Sequence, residues 1–180
     1  PLVYVNLVGG QDELVFDGNS FIIDRDKVLY QAKHFDEEYK KIEISASNEI
    51  IINHSKSKET DHFDEVYSAL ILGLRDYVSK NKFPGVVVGI SGGIDSAFSI
   101  CVAVDALGPD KVKGILMPSK FTSDDSNNDA TQLGKNLNVD TRSIAIEDIV
   151  NSYESSLESL FENKEKDITE ENIQSRARGM

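Results

Sequence analysis

The residues with the clearest chemistry form one continuous string, Gly89-Ile90-Ser91-Gly92-Gly93-Ile94-Asp95-Ser96. A strand-like run, Val86-Val87-Val88, leads into it, and a helix-like run, Ala97-Phe98-Ser99-Ile100-Cys101-Val102-Ala103-Val104, leads out. A glycine-rich turn between strand and helix frees backbone N–H groups that surround anions at the positive end of the helix. Gly92 and Gly93 lack a Cβ, so they permit unusual φ and a close approach of phosphate oxygens. Ser91 and Ser96 add hydroxyl donors, and Asp95 has the chemistry to share a divalent cation with a phosphate. The string contains no lysine and does not match the Walker A spacing.

Elements that would position this loop follow from periodicity. Residues 1–60 read as β-rich, with strands expected over 2–8, 14–16, 20–24, 28–32 and 41–45, a turn over 9–13, and a polar linker over 53–60. From Asp61, an N-cap candidate, apolar residues at 63, 66, 67, 70, 74, 77 and 78 predict a helix. Pro84-Gly85 ends it. Further strands are expected over 86–88, 111–117 and 140–146, alternating with helices over 97–104, 124–137, 147–161 and 169–180. That alternation predicts an α/β fold: a doubly wound parallel sheet covered on both faces, with the loop at the carboxyl end of its strand.

Composition narrows the function classes. The chain has 180 residues, a formal net charge of −12 and 39% hydrophobic residues, which fits one folded domain or one domain plus part of another. So acidic a surface argues against general nucleic-acid or membrane binding, and an anionic ligand must rely on local amides, a few basic groups and metal. The single cysteine, Cys101, argues against an internal disulfide framework and fits a reducing, cytoplasmic setting. No apolar run approaches the ~20 residues that span a bilayer. Both ends read as cut, so an excerpt of a longer protein is expected.

Gly89 to Ser96 resembles the PP-loop, SGGxDS, of the ATP pyrophosphatases. Two further strings narrow the resemblance: Met117-Pro118-Ser119-Lys120-Phe121-Thr122-Ser123, after the second strand of the alternating part, and Thr169-Glu170-Glu171-Asn172-Ile173-Gln174-Ser175-Arg176-Ala177-Arg178-Gly179-Met180. In order and spacing the three are similar to the NAD synthetase family, with its patterns MPSxxxS and ENxQxRxRG. Residues 3–20 resemble the last third of the nitrilase-type glutaminase domain that precedes the synthetase domain in the glutamine-dependent form. The resemblance divides the chain into 1–55, the C-terminal part of a nitrilase-like domain with its linker, and 56–180, the N-terminal part of a PP-loop domain.

The resemblance implies ATP-dependent amidation of deamido-NAD to NAD through an NAD-adenylate, with ammonia supplied by glutamine and with AMP and pyrophosphate released. It assigns Gly89, Ile90, Ser91, Gly92, Gly93, Ile94, Asp95 and Ser96 to ATP, Asp95 to Mg2+, and Asp95 and Ser96 to catalysis. Asn172 and Arg176 fall at positions that bind deamido-NAD, and their spacing of four puts them on one helix face. A homo-oligomer is implied as well. The glutaminase nucleophile, a second magnesium carboxylate, and a threonine and lysine near the phosphates are expected outside these 180 residues, so the excerpt alone is expected to be inactive. The alternatives are another PP-loop ligase, such as a GMP synthetase or a thiolation enzyme, and a non-catalytic nucleotide-binding module.

For Arg176 and Arg178 the alternative is a charged helix end that offsets many acids, and the resemblance weighs against it. Lys120 is placed to approach a phosphate over the sheet edge or to stand as a surface lysine of the loop, and Ser119 and Ser123 are weaker candidates in the same loop. Relatives often have arginine and tyrosine where this chain has Lys120 and Phe121. Cys101 is expected in the core and His34, His54 and His62 on the surface. Asp124, Asp125 and Asp129 fit a helix start, and Glu154, Glu158, Glu162 and Glu165 a solvated face.

Overall fold

A computed structural model describes residues 1–47, 49–52, 61–119, 122–160 and 168–179. It divides into two compact units, Pro1–Pro84 and Gly85–Met180. The linker expected over 53–60, together with His54, Lys120, Phe121, Glu162 and Glu165, lies outside the described residues.

The first unit is built from short antiparallel strands and one long helix. Strands β1 (Leu2–Tyr4), β4 (Phe21–Asp24) and β5 (Lys27–Gln31) form a sheet in the order β1-β4-β5. Strands β2 (Val8–Gln11) and β3 (Leu14–Asp17) form a hairpin, and β6 (Glu43–Ile44) pairs with β7 (Ile50–Ile51). The strand expected over 2–8 is therefore two strands, and Gly9-Gly10 lie in β2 rather than in a turn. The reason is helix α1 (His62–Lys80), which packs against β2. A Cβ on Gly10 would come within 3.0 Å of the Gly73 Cα on α1, so glycine here permits backbone-to-backbone contact. Asp76 and Lys80 clasp the strand. The Asp76 carboxylate accepts from the Gly10 N–H at 2.8 Å, and the Lys80 ammonium donates to the Gly10 carbonyl at 2.6 Å and pairs with Asp76 at 3.0 Å. Burial alone would raise the Asp76 carboxyl pKa, but the Gly10 amide and Lys80 outweigh it and hold it below the usual range. His34 is not a surface residue: its side chain is only 17% exposed and faces Glu65 at 3.8 Å.

Ile22, Tyr30 and Ala32 form the core beneath β4 and β5. The Tyr30 hydroxyl is buried with no hydrogen bond of ordinary geometry among the described residues. Burial, and after it the nearby Glu38 carboxylate, pushes its pKa up to about 12. A phenol whose folded pKa is raised favours the native state below its unfolded value, ~10, and loses that contribution as pH rises towards the folded value. Tyr30→Phe is therefore expected to change stability at pH 8 by less than about 1 kcal/mol, because it removes a desolvated hydroxyl together with its interaction with the Glu38 carboxylate. Urea unfolding should also show the variant losing less stability than the parent between pH 10 and 12, by on the order of 1–2 kcal/mol. Equal losses in the two proteins would remove Tyr30 from the alkaline transition.

The second unit has the expected alternation. Strands β8 (Val86–Gly89), β9 (Val112–Leu116) and β10 (Asp140–Ser143) form a parallel sheet in the order β10-β9-β8. Helix α2 (Ile94–Leu107) connects the first pair and α3 (Asp124–Asn136) the second, and α4 (Glu147–Leu157) and α5 (Ile168–Gly179) follow. Parallel crossovers are right-handed as a rule, and two of them stepping in the same direction place both helices on one face of a sheet. That face holds the buried Val112, Gly114 and Leu116, closed by Ile90, whose Cδ1 would be 2.5 Å from a Cβ on Gly114. The other face carries Val87, Lys113, Asp140 and Arg142, which are exposed among the described residues. Cys101 is partly buried, short of the core position expected.

Candidate functional site

The loop sits where the topology puts it, at the carboxyl end of β8. The Ile90 amide still belongs to the sheet, donating to the Ile115 carbonyl at 2.8 Å, and the chain then turns through Gly92 at φ +82°. A Cβ on Gly92 would lie 2.4 Å from the Ser126 carbonyl oxygen, so the loop is seated directly on the first turn of α3. Gly93 caps α2 in extended geometry without a side-chain bond.

Within the loop the serines bond to each other. The Ser91 amide donates to the Ser96 hydroxyl at 3.1 Å, the Gly93 amide donates to the Ser91 hydroxyl at 3.2 Å, and the Ser96 hydroxyl donates to the Gly93 carbonyl at 2.9 Å. Two of the amides expected to face an anion are thus satisfied internally. The Ala97 amide makes the first intrahelical bond, to the Gly93 carbonyl at 3.1 Å. The amides of Ile94, Asp95 and Ser96 precede it, at the positive end of the α2 dipole. Asp95 is exposed in that first turn. No cluster of three metal-ligating side chains exists among the described residues. A lone exposed carboxylate in this first turn nevertheless has the chemistry to hold magnesium, a cation that keeps several waters and needs few protein ligands.

Gly89, Ile90 and Ser91 line one side of a cavity of about 460 Å3. Met117, Pro118 and Thr122 line a second side, Ser123, Ser126 and Asn127 a third, and Arg178 of α5 closes it. Ser123 is the N-cap of α3, its hydroxyl accepting from the Ser126 amide at 3.2 Å, so the helix starts from a serine and the aspartates follow in its first turn. The strings at 89–96, 117–123 and 169–180 therefore meet at one sheet edge. Not every expected site residue meets there. Asn172 and Arg176 share a helix face as expected, but both are exposed and neither lines the cavity. Of the loop, Gly89, Ile90 and Ser91 line the cavity, whereas Gly92, Gly93, Ile94, Asp95 and Ser96 do not.

Gln174 is the residue that sequence reasoning missed, and Arg178 is one that it singled out with Arg176 but assigned to no ligand. Gln174 is a buried polar side chain, 6% exposed, and its Oε1 accepts from the Ser119 hydroxyl at 2.8 Å. Arg178, one turn later, donates from Nε to the Met117 carbonyl at 3.4 Å. The i, i+4 relation of Gln174 to Arg178 was visible in the sequence. The burial that makes it matter was not.

A parallel sheet with a glycine-rich turn at its carboxyl edge, opening an α-helix, defines a Rossmann-like α/β fold of the PP-loop kind. The NAD synthase family model matches residues 66–180, and the chain belongs to that family. It is 44% identical over 179 residues to the glutamine-dependent NAD(+) synthetase of Acinetobacter baylyi, covering 99% of this chain and 33% of the relative. The corresponding Thermotoga maritima protein is 39% identical over 211 residues, with 99% and 37% covered. Among solved structures, the glutamine-dependent NAD+ synthetase of Acinetobacter baumannii in complex with ADP superposes with a TM-score of 0.92 at 41% identity, covering 98% of this chain and 34% of that one. The chain thus spans about a third of the length of these relatives. Among the described residues no helix is long and apolar enough to cross a membrane.

Proposed function

We propose that this chain supplies the nucleotide-activating part of a glutamine-dependent NAD synthetase, converting deamido-NAD to NAD with ATP and with ammonia drawn from glutamine. The observation that carries the reading is the meeting of the three motif strings around one cavity at the carboxyl edge of the parallel sheet. The relatives named for this activity, one of them solved with ADP, support it. In the same reading residues 1–55 are the end of a nitrilase-like glutaminase domain and its linker, and 56–180 begin the synthetase domain.

The chemistry follows from the groups present. A carboxylate resists attack by ammonia because its oxygen is a poor leaving group. Transferring AMP to it makes a mixed anhydride from which AMP departs readily, and pyrophosphate must leave first. The first-turn amides of Ile94, Asp95 and Ser96 face the place where charge develops on that pyrophosphate, fixed before the reaction begins. Mg2+, held by Asp95 together with phosphate oxygens, would neutralise part of that charge. Asn172 and Arg176, on one exposed face of α5, orient deamido-NAD through an amide and a guanidinium suited to a carboxylate or phosphate.

Isotope exchange between pyrophosphate and ATP in the full-length protein tests this directly. Exchange should require deamido-NAD, and NAD should form when glutamine or ammonium is added. Exchange driven by XMP instead, or ATP binding with no turnover, would overturn the assignment.

A further inference from the structure

Arg178 occupies a position that its place in the sequence does not suggest. The cavity beside the PP-loop lies between Ser91 of that loop, Met117 after β9 and Ser126 of α3, with Arg178 of α5 on its rim. In a chain with a formal net charge of −12, the cavity lining contains, among the described residues, no carboxylate and one guanidinium. A cavity so composed, bordered by the amino ends of α2 and α3, is built for an anion.

The helix geometry separates this arginine from its neighbour. Successive residues on an α-helix stand about 100° apart, so Arg176 and Arg178 stand about 200° apart. The buried side of α5 is marked by Ile173, Gln174 and Ala177, which face Met117, Ile146 and Val150 or the Ser119 hydroxyl. Arg178 lies on the flank nearest Gln174, towards the β9 loop, and Arg176 on the opposite flank. The two arginines therefore cannot serve one ligand group from the same side.

Two contacts hold Arg178 over the cavity. The buried Gln174–Ser119 bond ties α5 to the loop after β9. The Nε–Met117 bond uses one donor of the fork and leaves the guanidinium two NH2 groups for further partners.

We propose that Arg178 binds the polyphosphate of ATP and the departing pyrophosphate from the side opposite the PP-loop, with Gln174 as its positioning residue. This rests on the nucleotide reading given above and deepens it: Arg176 serves the dinucleotide and Arg178 the triphosphate.

The test is done on the full-length protein, with Arg178→Gln and Arg178→Lys beside the unmodified form. Binding of ATP–Mg2+, of pyrophosphate and of deamido-NAD is measured separately by calorimetry, and melting is followed to confirm folding. Arg178→Gln should weaken ATP–Mg2+ and pyrophosphate by about 10- to 100-fold, the range expected for a lost charge-assisted contact, and leave deamido-NAD within about 2-fold. Arg178→Lys, which keeps the charge and loses the fork, should fall between. Gln174→Leu should raise the KM for ATP with kcat for bound substrate less affected. If the unmodified protein binds no ATP–Mg2+, the nucleotide reading itself is wrong and this proposal goes with it. If the unmodified protein binds ATP and both Arg178 variants bind it equally well, or lose deamido-NAD instead, only the role given to Arg178 is overturned.

Discussion

Gly92→Ala is expected to destabilise the second unit by about 2–4 kcal/mol and to reduce pyrophosphate exchange in the full-length protein at least about 100-fold. Two independent penalties add at this residue. Its φ of +82° lies in the left-handed region, which costs an L-residue roughly 1–2 kcal/mol. The new methyl would also stand 2.4 Å from the Ser126 carbonyl oxygen and 2.9 Å from its Cα, both backbone atoms that cannot rotate away. Relief requires the loop and the first turn of α3 to separate, which moves the amides of Ile94 to Ser96 relative to the cavity. A displacement near 1 Å at such a site commonly costs about 100-fold in rate. The adjacent Gly93→Ala is the control. Gly93 has φ −85°, and its Cβ would meet only the Ser91 hydroxyl, at 3.3 Å, so its stability cost should stay under about 1 kcal/mol. Chemical denaturation of both variants decides the matter: equal losses would show that the Gly92 conformation is not what fixes the loop.

How far the fold could be read in advance depended on which forces set each element. The parallel sheet was legible because β8, β9 and β10 are short runs separated by helices of the right length, and periodicity alone specifies that. Helix α1 was legible from its apolar spacing and from Asp61, which does cap it, accepting from the His62 amide at 2.8 Å. The Gly9-Gly10 pair was misread because glycines in a strand look like a turn until their partner is known, and that partner is Gly73, some sixty residues away. In the site, the loop was legible because its glycines and serines answer a local demand. Engagement of the Ser91 and Gly93 amides by their own loop's hydroxyls was not, since it depends on rotamers. Gln174 was missed for a related reason: a glutamine in a helix reads as solvated until something buries it, and here Ser119, fifty-five residues earlier, supplies the bond.

Asp95→Asn should separate structure from chemistry most cleanly. Asp95 is exposed in the first turn of α2, where its charge contributes roughly 0.3–1 kcal/mol through the helix dipole. Loss of that charge should barely shift melting. Asp64→Asn, at the start of α1, removes a charge from a comparable first turn and supplies the matching stability control. The kinetic outcome should differ sharply between them. Asparagine keeps the shape of aspartate but not the anionic oxygen that a hard cation requires, so pyrophosphate exchange in the full-length Asp95→Asn protein should fall about 100- to 1,000-fold. The Mg2+ concentration giving half-maximal exchange should rise as well, because the protein's share of the coordination is weakened while the nucleotide's is not. Asp64→Asn should leave both quantities at parental values. Near-normal exchange in Asp95→Asn would take the carboxylate out of the reaction. A deficit with an unchanged Mg2+ requirement would instead move Asp95 from holding the cation to ordering the amides that follow it.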